Sequence, residues 1–179
     1  GWGAVEGGSM GWLEGNAVEG PDGRIWDILR VNSYPVLNKG AMVQVLDGGR
    51  RMVFDPATGF IDLPGGASKF TIRRDPETGI YWMLSNDMED GARPVRRNRL
   101  SLFSSSDLRT WTKRATLLEY YGDDPAQAPN TTGFQYEDWQ FDGDDIMYLV
   151  RTAYDGAHNF HDSNRITFGK VEGFRALAR

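Results

Sequence analysis

The sequence predicts an all-β fold, a β-propeller of four-stranded antiparallel blades, with about three blades in this chain. Short runs rich in Val, Ile, Tyr, Trp and Phe recur along the 179 residues and are separated by polar turns such as PDG, DGG, PETG and DGDD. Helical periodicity is hard to find, and the 22 glycines fit a chain with many turns. A strand, turn, strand pattern also repeats three times, which is the sequence signature of a repeat fold.

Each copy of the repeat begins with a hairpin whose second strand opens with Ile. The three hairpins are "NAVEGPDGRIWDILRVN" (16–32), "FTIRRDPETGIYWMLSND" (70–87) and "DWQFDGDDIMYLVRTA" (138–153). Their second strands start at Ile25, Ile80 and Ile146, which are 55 and then 66 residues apart. Spacings of this length are typical of propeller blades.

A second strand pair is predicted after each hairpin. These pairs are "AMVQVLDGGRRMVFD" (41–55), "RLSLFSSSDLRTWTKRATLL" (99–118) and "NRITFGKVEGFRAL" (164–177). Four strands per repeat make a propeller blade, and we place the blades at about 14–63, 67–120 and 135–177. An irregular β-sandwich is the competing arrangement. Because a propeller closes with ~4 to 8 blades, the remaining blades are expected from missing sequence or from a second chain.

Composition narrows the classes of partner. The net charge of −5 and pI of about 5.0 argue against binding to nucleic acid or to an anionic membrane. The chain has no cysteine, no run of apolar residues long enough for a membrane span and no marked metal-ligand set, so we expect no cofactor and no metal. It starts at Gly1 rather than Met, which suggests a processed product or part of something longer.

Arginine recurs at one register of the repeat. Arg30 and Arg151 each lie five residues after the opening Ile of a second strand, and Ser85 takes that place in the second copy. Inner strands of a propeller converge on a central axis, so two such arginines would present guanidinium groups suited to a carboxylate or a uronic acid. The alternative is that each arginine forms a structural ion pair with a neighbouring Asp.

Carboxylates are the second group of candidate site residues, because glycoside hydrolysis typically uses two of them on either side of the scissile bond. The candidates are Glu14, Glu137, Asp138 and Asp162, and Glu14 and Asp138 lead because aromatic residues next to them would raise a carboxyl pKa by desolvation. A tyrosine paired with a carboxylate serves as nucleophile in sialidases. Strand alternation would put Tyr136 on the same face as Asp138 and opposite Glu137.

Both histidines of the chain lie in "YDGAHNFHDSNRITF" (154–168). His158 and His161 would bind a metal, hold the loop through hydrogen bonds to carboxylates, or line a polar pocket for a ligand. We favour the pocket, with Asp162 and Asn164 supporting the imidazoles or binding a sugar directly.

The motifs resemble a known family. "SSSDLRTW" (104–111) is similar to a shortened Asp-box, Ser-x-Asp-x-Gly-x-Thr-Trp, with Arg109 in place of Gly. The order of "WLEGN", "LRVN", "SKFTI", "YWMLSN", "QYEDWQFDGDD" and "RTAYDGAHNFHDSN" resembles the C-terminal portion of sialidase-like (BNR, or Asp-box, type) propeller glycoside hydrolases, from about Trp12 to Phe174. The resemblance implies a secreted or periplasmic glycan hydrolase, although the early Arg-Ile-Pro motif of sialidases is not seen.

The resemblance also implies which residues line the central pocket. They are Glu14, Arg30, Lys69, Arg97, Asp138, Arg151, His158, His161 and Asp162. We therefore expect a sialidase-like hydrolase that cleaves a glycosidic bond in a glycan with an acidic sugar, with Glu14, Asp138 and Asp162 as catalytic candidates. Tyr136, Tyr154 and Asn164 join the arginines, Lys69 and the histidines as substrate-binding candidates. A polysaccharide lyase using His158 or His161 with Tyr154, and a non-catalytic glycan-binding propeller, are the alternatives.

Overall fold

The computed structural model describes residues 11–91, 96–122 and 127–178, and these form three antiparallel sheets in chain order. The first sheet contains β1 (Gly11–Glu19), β2 (Ile25–Asn32), β3 (Lys39–Leu46), β4 (Arg51–Val53) and β5 (Phe60–Asp62). The second contains β6 (Thr71–Arg74), β7 (Tyr81–Asn86), β8 (Arg99–Ser105) and β9 (Thr112–Glu119). The third contains β10 (Gly133–Asp142), β11 (Asp145–Ala153) and β12 (Arg165–Val171). A 3-10 turn (Asp47–Gly49) joins β3 to β4, and one short helix, α1 (Ala128–Thr131), precedes β10.

Successive strands pair as neighbours in every sheet. The orders are β1-β2-β3-β4, with β5 also paired to β3, then β6-β7-β8-β9 and β10-β11-β12. The predicted second strand pair of the third copy is a single strand, β12. Its expected partner forms the 3-10 turn Phe174–Ala178 instead, because Phe174 is fully buried and packs edge-on against Trp82, with ring centroids 5.1 Å apart.

Two apolar layers join the three sheets. The first and second sheets meet through residues such as Ile28, Met42 and Met83. The second and third meet through residues such as Trp82 and Tyr148. Side chains of β7 point alternately to the two layers, so this strand is buried on both faces, and each fully buried large side chain stabilises the fold by about 1.5–3 kcal/mol.

The outer face of the third sheet has no neighbouring sheet in the described chain. Leu149 pairs with Phe168 across β11 and β12, and these residues are 52% and 64% exposed. The matching pairs are Ile28 with Met42 in the first sheet and Leu84 with Leu102 in the second. All four of those residues are buried beneath the next sheet. The third sheet thus exposes the apolar face that the other two cover.

The packing also corrects the alignment of the second copy. Ile28 faces the next sheet and Arg30 follows two residues later, while Leu84 faces the next sheet and Asn86 follows two residues later. Asn86, not Ser85, therefore occupies the arginine position. Its buried amide donates to the carbonyl of Phe134 at 2.6 Å, so this position is structural in the second sheet.

Acidic residues form the hairpin turns, as their sequence context predicts. Asp75 accepts hydrogen bonds from the hydroxyl of Thr78 and the amide of Glu77, and it forms a two-pronged ion pair with Arg175 at 2.8 and 2.9 Å. Burial alone would raise the pKa of Asp75, but these hydrogen bonds and the charge of Arg175 outweigh it and lower that pKa to about 2. The pair connects the second sheet to the C-terminal turn.

Among the described residues, the structure contains no helix with the length and apolar character needed to cross a membrane.

Candidate functional site

Two β-bulges lie at equivalent positions of the first and third sheets. The pairing register shifts at Glu14 and Gly15 in β1 and at Tyr136 and Glu137 in β10. Glu14 and Tyr136 have φ values of 43° and 53°, in the left-handed region that residues other than glycine rarely adopt. Such a conformation costs of order 1–3 kcal/mol and is concentrated at functional sites.

Both bulges are held against β6 of the second sheet and the residue before it. The side chain of Asn16 donates to the carbonyl of Phe70 and accepts from the amide of Ile72, each at 3.1 Å. On the other side, the hydroxyl of Thr71 donates to the carbonyl of Glu137 at 2.7 Å. These contacts explain how the strained backbone of each bulge is fixed in one position.

A cleft of about 400 Å³ lies beside the β10 bulge and is lined by both Tyr136 and Glu137, together with Lys69 and Asp138. On the first sheet its lining begins at Asn16, the residue after the β1 bulge. Strand alternation predicts that adjacent residues face opposite sides, but the bulge adds a residue and breaks that alternation. The sequence-based separation of Tyr136 from Glu137 is therefore not observed. The ammonium group of Lys69 donates to the carbonyl of Phe70 at 2.5 Å.

Glu137 is the buried carboxyl group of this cleft. It is 1% exposed, and neither of its side-chain oxygens has a hydrogen-bond partner in the described part of the chain. Burial raises the pKa of Glu137 to about 8, against the opposing effects of its own backbone amide and of the charges of Lys69 and Arg97. At neutral pH the group is therefore mostly a neutral carboxylic acid that can donate a proton. The sequence favours Asp138 over Glu137 because of the aromatic residues near Asp138, and a bulge leaves no clear pattern of side-chain alternation that would indicate the burial of Glu137.

Asp138 lies at the outer rim of the same cleft. Its side chain is 73% exposed, and one carboxylate oxygen accepts from Arg73 at 2.8 Å and from the amide of Trp139 at 2.9 Å. Asp138 is thus solvated and paired with a cation, so its environment does not desolvate it as that of Glu137 does.

Arg30 is neutralised within the first sheet. It is 5% exposed, and its guanidinium donates to Glu14 Oε2 at 2.7 Å and to the carbonyl of Ala67 at 2.8 Å. Glu14 therefore lies over Arg30 as the carboxylate of an ion pair.

Arg151 occupies the same register in the third sheet but has neutral partners. Its Nε donates to Ser163 Oγ at 2.9 Å and its Nη2 to the carbonyl of His161 at 2.8 Å. The guanidinium carbon lies 5.1 Å from the ring centroid of Tyr136. Within residues 11–91, 96–122 and 127–178, Arg151 forms no ion pair with a carboxylate.

Arg97 is a second arginine with neutral hydrogen-bond partners. It is 8% exposed, its Nη1 donates to Gln135 Oε1, and its guanidinium carbon lies 5.6 Å from the ring centroid of Phe160. Its Nε has no hydrogen-bond partner among the described residues. Burial, together with the nearby charge of Arg30, lowers the pKa of Arg97 from its ordinary value. A buried cation with an unused donor has the properties of an anion-binding group.

The histidine loop contributes one histidine ring next to Tyr136. The ring of His161 lies 6.2 Å from that of Tyr136, whereas the side chain of His158 is 79% exposed. Asp162 accepts from Asn159 Nδ2 at 2.9 Å and lies 2.9 Å from His158 Nδ1. The bond from Asn159 is the main cause that lowers the pKa of Asp162. Asp162 therefore holds the loop together.

Tyr154 and Asn164 close the base of the loop. The side-chain Nδ2 of Asn164 donates to the backbone carbonyl of Tyr154 at 2.8 Å. The ring of Tyr154 packs against that of Tyr120, with centroids 4.7 Å apart. These two residues form the scaffold of the loop, and neither lines the cleft described above.

The described structure thus brings together a central group of predicted site residues from all three sheets. The group contains Glu14, Arg30, Lys69, Arg97, Tyr136, Arg151 and His161, with Asp138 at its rim. It adds Glu137 as a buried acid, and Gln135 as a residue that sequence reasoning did not single out.

No protein-family model matches the chain, and no curated protein sequence matches it. Solved structures do. The GH43 β-1,3-galactosidase BT3683, solved with galactodeoxynojirimycin, superposes with a TM-score of 0.53 at 15% identity, covering 92% of this chain and 43% of that chain. The GH43 β-1,3-galactosidase BT0265 gives a TM-score of 0.50 at 12% identity, covering 89% of this chain and 30% of that chain.

This likeness identifies the fold as part of a β-propeller. The chain spans less than half the length of the two enzymes. The similarity is to GH43 proteins and gives no specific support for the sialidase or Asp-box type that the motifs suggest. In the structure "SSSDLRTW" is a turn folded by Asp107, whose carboxylate accepts from the amides of Arg109 and Thr110 at 2.8 and 2.7 Å.

Proposed function

We propose that these blades belong to a propeller glycoside hydrolase that cleaves a glycosidic bond in a glycan carrying an acidic sugar. The observation that carries the proposal is the cleft at the β10 bulge, where a buried carboxylic acid, Glu137, lies near the buried cation Arg97. Within the described residues, neither carboxyl oxygen of Glu137 has a hydrogen-bond partner, and the Nε of Arg97 has none either. Both groups therefore have hydrogen-bonding capacity that no described residue uses.

Binding of the acidic sugar is assigned to Arg97 and Arg151. Their guanidinium groups donate to a side-chain amide, a hydroxyl and a backbone carbonyl, and neither forms an ion pair with a carboxylate among the described residues. Guanidinium groups bind carboxylates through paired, charge-assisted hydrogen bonds. An anionic substituent on the sugar would therefore supply the missing counterion.

Bond cleavage is assigned to Glu137 and Glu14. Glu137, neutral at pH 7, would donate its proton to the glycosidic oxygen as the bond from that oxygen to the anomeric carbon breaks. The carboxylate left behind is favoured by the nearby charges of Lys69 and Arg97. Glu14, paired with Arg30, would activate water or attack the anomeric carbon from the first sheet. Asp138 and His161 would bind sugar hydroxyls at the edge of the cleft.

The sharpest test of the acid role compares two leaving groups. Glu137→Gln is expected to lower kcat on a natural glycan by about 10²–10⁴, the usual contribution of a general acid. Its loss should be much smaller on a nitrophenyl glycoside, whose leaving group needs no proton. Asp138→Asn, one residue along β10, is the matched control. Equal losses of Glu137→Gln on both substrates, or full activity, would reject the assignment.

Activity should also depend on pH through the same group. Because Glu137 acts in its protonated form and its pKa is about 8, the rate should fall as pH rises above that value. A pH profile of kcat/KM measures this limb. A profile that is flat from pH 7 to 10 contradicts the proposal.

A polysaccharide lyase is the second candidate, and the contact of His161 with Tyr136 beside Arg151 favours it. In that reaction one ring would remove a proton next to a uronate carboxylate held by Arg151, and the glycosidic oxygen would leave. The product carries a conjugated double bond, so ultraviolet absorbance separates lyase from hydrolase. Saturable binding without any new reducing end would indicate a glycan-binding protein with no catalysis.

The proposed hydrolase also needs further blades to close the propeller ring. The exposed pair Leu149 and Phe168 supports the expectation that further blades, from adjoining sequence or a second chain, cover the third sheet. Light scattering gives the mass of the native particle, and the activity assays use the protein in that form.

A further inference from the structure

Gln135 connects the two arginines of the proposed anion site. It lies in β10 immediately before the bulge, and it is 1% exposed. Its Oε1 accepts from Arg97 Nη1, while its Nε2 donates to the carbonyls of Phe160 at 2.9 Å and His161 at 2.7 Å. The carbonyl of His161 also accepts from Arg151 Nη2 at 2.8 Å. One continuous set of hydrogen bonds therefore runs from Arg97 through Gln135 and His161 to Arg151.

This arrangement requires an amide side chain. The primary amide offers one acceptor oxygen and two N–H donors, and the site uses the oxygen for a cation and the nitrogen for two carbonyls. A carboxylate at position 135 would have no donor for the carbonyls and would neutralise Arg97. An apolar side chain would leave the arginine and both carbonyls without this partner.

The loop that Gln135 contacts is fixed on its other side as well. A Cβ at Gly133 would overlap the carbonyl oxygen of Phe160, so the loop approaches the backbone of β10 closely. Asn159 Oδ1 accepts from the amides of His161 and Asp162 at 2.7 and 2.8 Å. The backbone of His161 is thus held from two sides, and its ring lies next to Tyr136.

The first sheet lacks this device. Leu13 stands immediately before its bulge, paired with Arg30, as Gln135 stands before the other bulge, paired with Arg151. Arg30 is neutralised by Glu14, whereas Arg97 and Arg151 are held by uncharged groups. The amide at position 135 thus orients two guanidinium groups without cancelling their charge.

We infer that Gln135 is a positioning residue that sets the spacing of Arg97 and Arg151 and thereby the preference of the site for an anionic sugar. The inference rests on the proposed function, since it concerns the two arginines assigned to the acidic sugar, and it names the residue on which acidic specificity depends. Gln135 itself acts through the two arginines and the His161 carbonyl.

The test uses Gln135→Glu, which keeps the shape of the side chain, and Gln135→Met, which removes its polar atoms. Glucuronate binding is measured by calorimetry, and the two histidine ring signals are followed by NMR. Both variants are expected to bind glucuronate at least about 10-fold more weakly, the effect of losing one good charge-assisted contact. The His161 ring signals should shift, while those of the exposed His158 stay in place. Arg151→Lys is the control, because it replaces one planar guanidinium group by a single ammonium group.

The outcomes separate this inference from the proposed function. Wild-type affinity for glucuronate in both variants overturns the inference, whether or not the histidine signals move, because a merely structural role would leave anion binding intact. Weaker binding with a shifted His161 signal supports it, even if the protein releases no sugar from any glycan. The absence of sugar release would reject only the proposed hydrolase activity. If the protein is active, both Gln135 variants should raise KM for acidic glycans more than KM for neutral glycans, relative to wild type.

Discussion

In the first sheet the bulge of β1 places Glu14 against Arg30 at 2.7 Å, whereas in the third sheet the bulge of β10 places Tyr136 beside Arg151, 5.1 Å from its guanidinium carbon. Both bulge residues have positive φ, and both arginines pair with the residue before the bulge. The two bulges share their register and a residue with positive φ, and their side chains carry different charges.

This difference explains how a repeat builds a polar site without making every copy identical. The first bulge contains a closed ion pair. The third contains an arginine held by neutral partners and a buried carboxyl, Glu137, in the place that Gly15 takes in the first. Strain is common to both and sets the geometry. The identity of a few side chains gives the first bulge a neutralised arginine, and gives the third both an arginine with neutral partners and a buried acid.

The largest expected effect concerns the pH dependence of stability at the third bulge. The folded-state pKa of Glu137, about 8, lies above that of an unfolded glutamate. The stabilisation from its bound proton is therefore complete below the unfolded pKa and is lost as pH rises through about 8. Between the unfolded and the folded pKa of Glu137, the wild-type free energy of unfolding should fall, relative to that of Glu137→Gln, by up to ~1.4 kcal/mol per pH unit. Urea titrations from pH 4 to 9 measure it.

The same titrations include Asp138→Asn, which keeps Glu137 and should therefore keep a fall in stability as pH rises. A constant difference in stability between wild type and Glu137→Gln across the range would mean that Glu137 is not protonated in the fold.

The ion pair of the first bulge should matter for stability more than the tyrosine of the third. Glu14→Gln leaves the buried Arg30 without its counterion and should destabilise the protein by about 2 kcal/mol, less than a fully buried pair because Glu14 is partly exposed. Tyr136→Phe removes only a hydroxyl and should cost under about 1 kcal/mol. Denaturant unfolding compares them. A larger loss for Tyr136→Phe would reverse the proposed division of charge.

Arg151 and Arg30 lie at equivalent positions, and we expect glucuronate binding to depend on Arg151 much more than on Arg30. Arg151→Lys replaces a planar fork by a single ammonium group and should weaken glucuronate binding by about 10-fold. Arg30→Lys should change that affinity by less than about 3-fold, because Glu14 already pairs with the cation. Calorimetry on both variants tests this. Equal losses would show that the first bulge also takes part in anion binding.

The smallest effect is expected at the glycine of the first bulge. A Cβ at Gly15 would overlap the carboxyl group of Asp27, both at Oδ1 and at Cγ, which would lie 2.6 Å away, and this side chain can rotate away. Gly15→Ala should therefore destabilise the fold by about 1 kcal/mol or less, at the lower end of overpacking effects. Thermal unfolding measures this change. A loss above about 3 kcal/mol, the upper end of those effects, would indicate that the β1 bulge cannot accept a side chain as the β10 bulge does.

Local patterns in the sequence predicted much of the architecture. Runs of β-branched and aromatic residues between polar turns give the three hairpins, and the shared register of Arg30 and Arg151 is present in the structure. The Asp75 and Asp107 turns follow the same local logic, since each side chain bonds to amides a few residues away. These features depend on neighbours in the chain, so the sequence by itself determined them.

Tertiary structure decided the chemistry of the cleft. The burial of Glu137 and its raised pKa arise from packing between β10 and the second sheet, and a bulge cannot be read from a period of two. The neutral environment of Arg97 depends on Gln135, 38 residues away. Phe174 became part of a 3-10 turn because a buried ring site on the second sheet was available to it. Each of these outcomes comes from contacts between residues far apart in the chain, which no local pattern encodes.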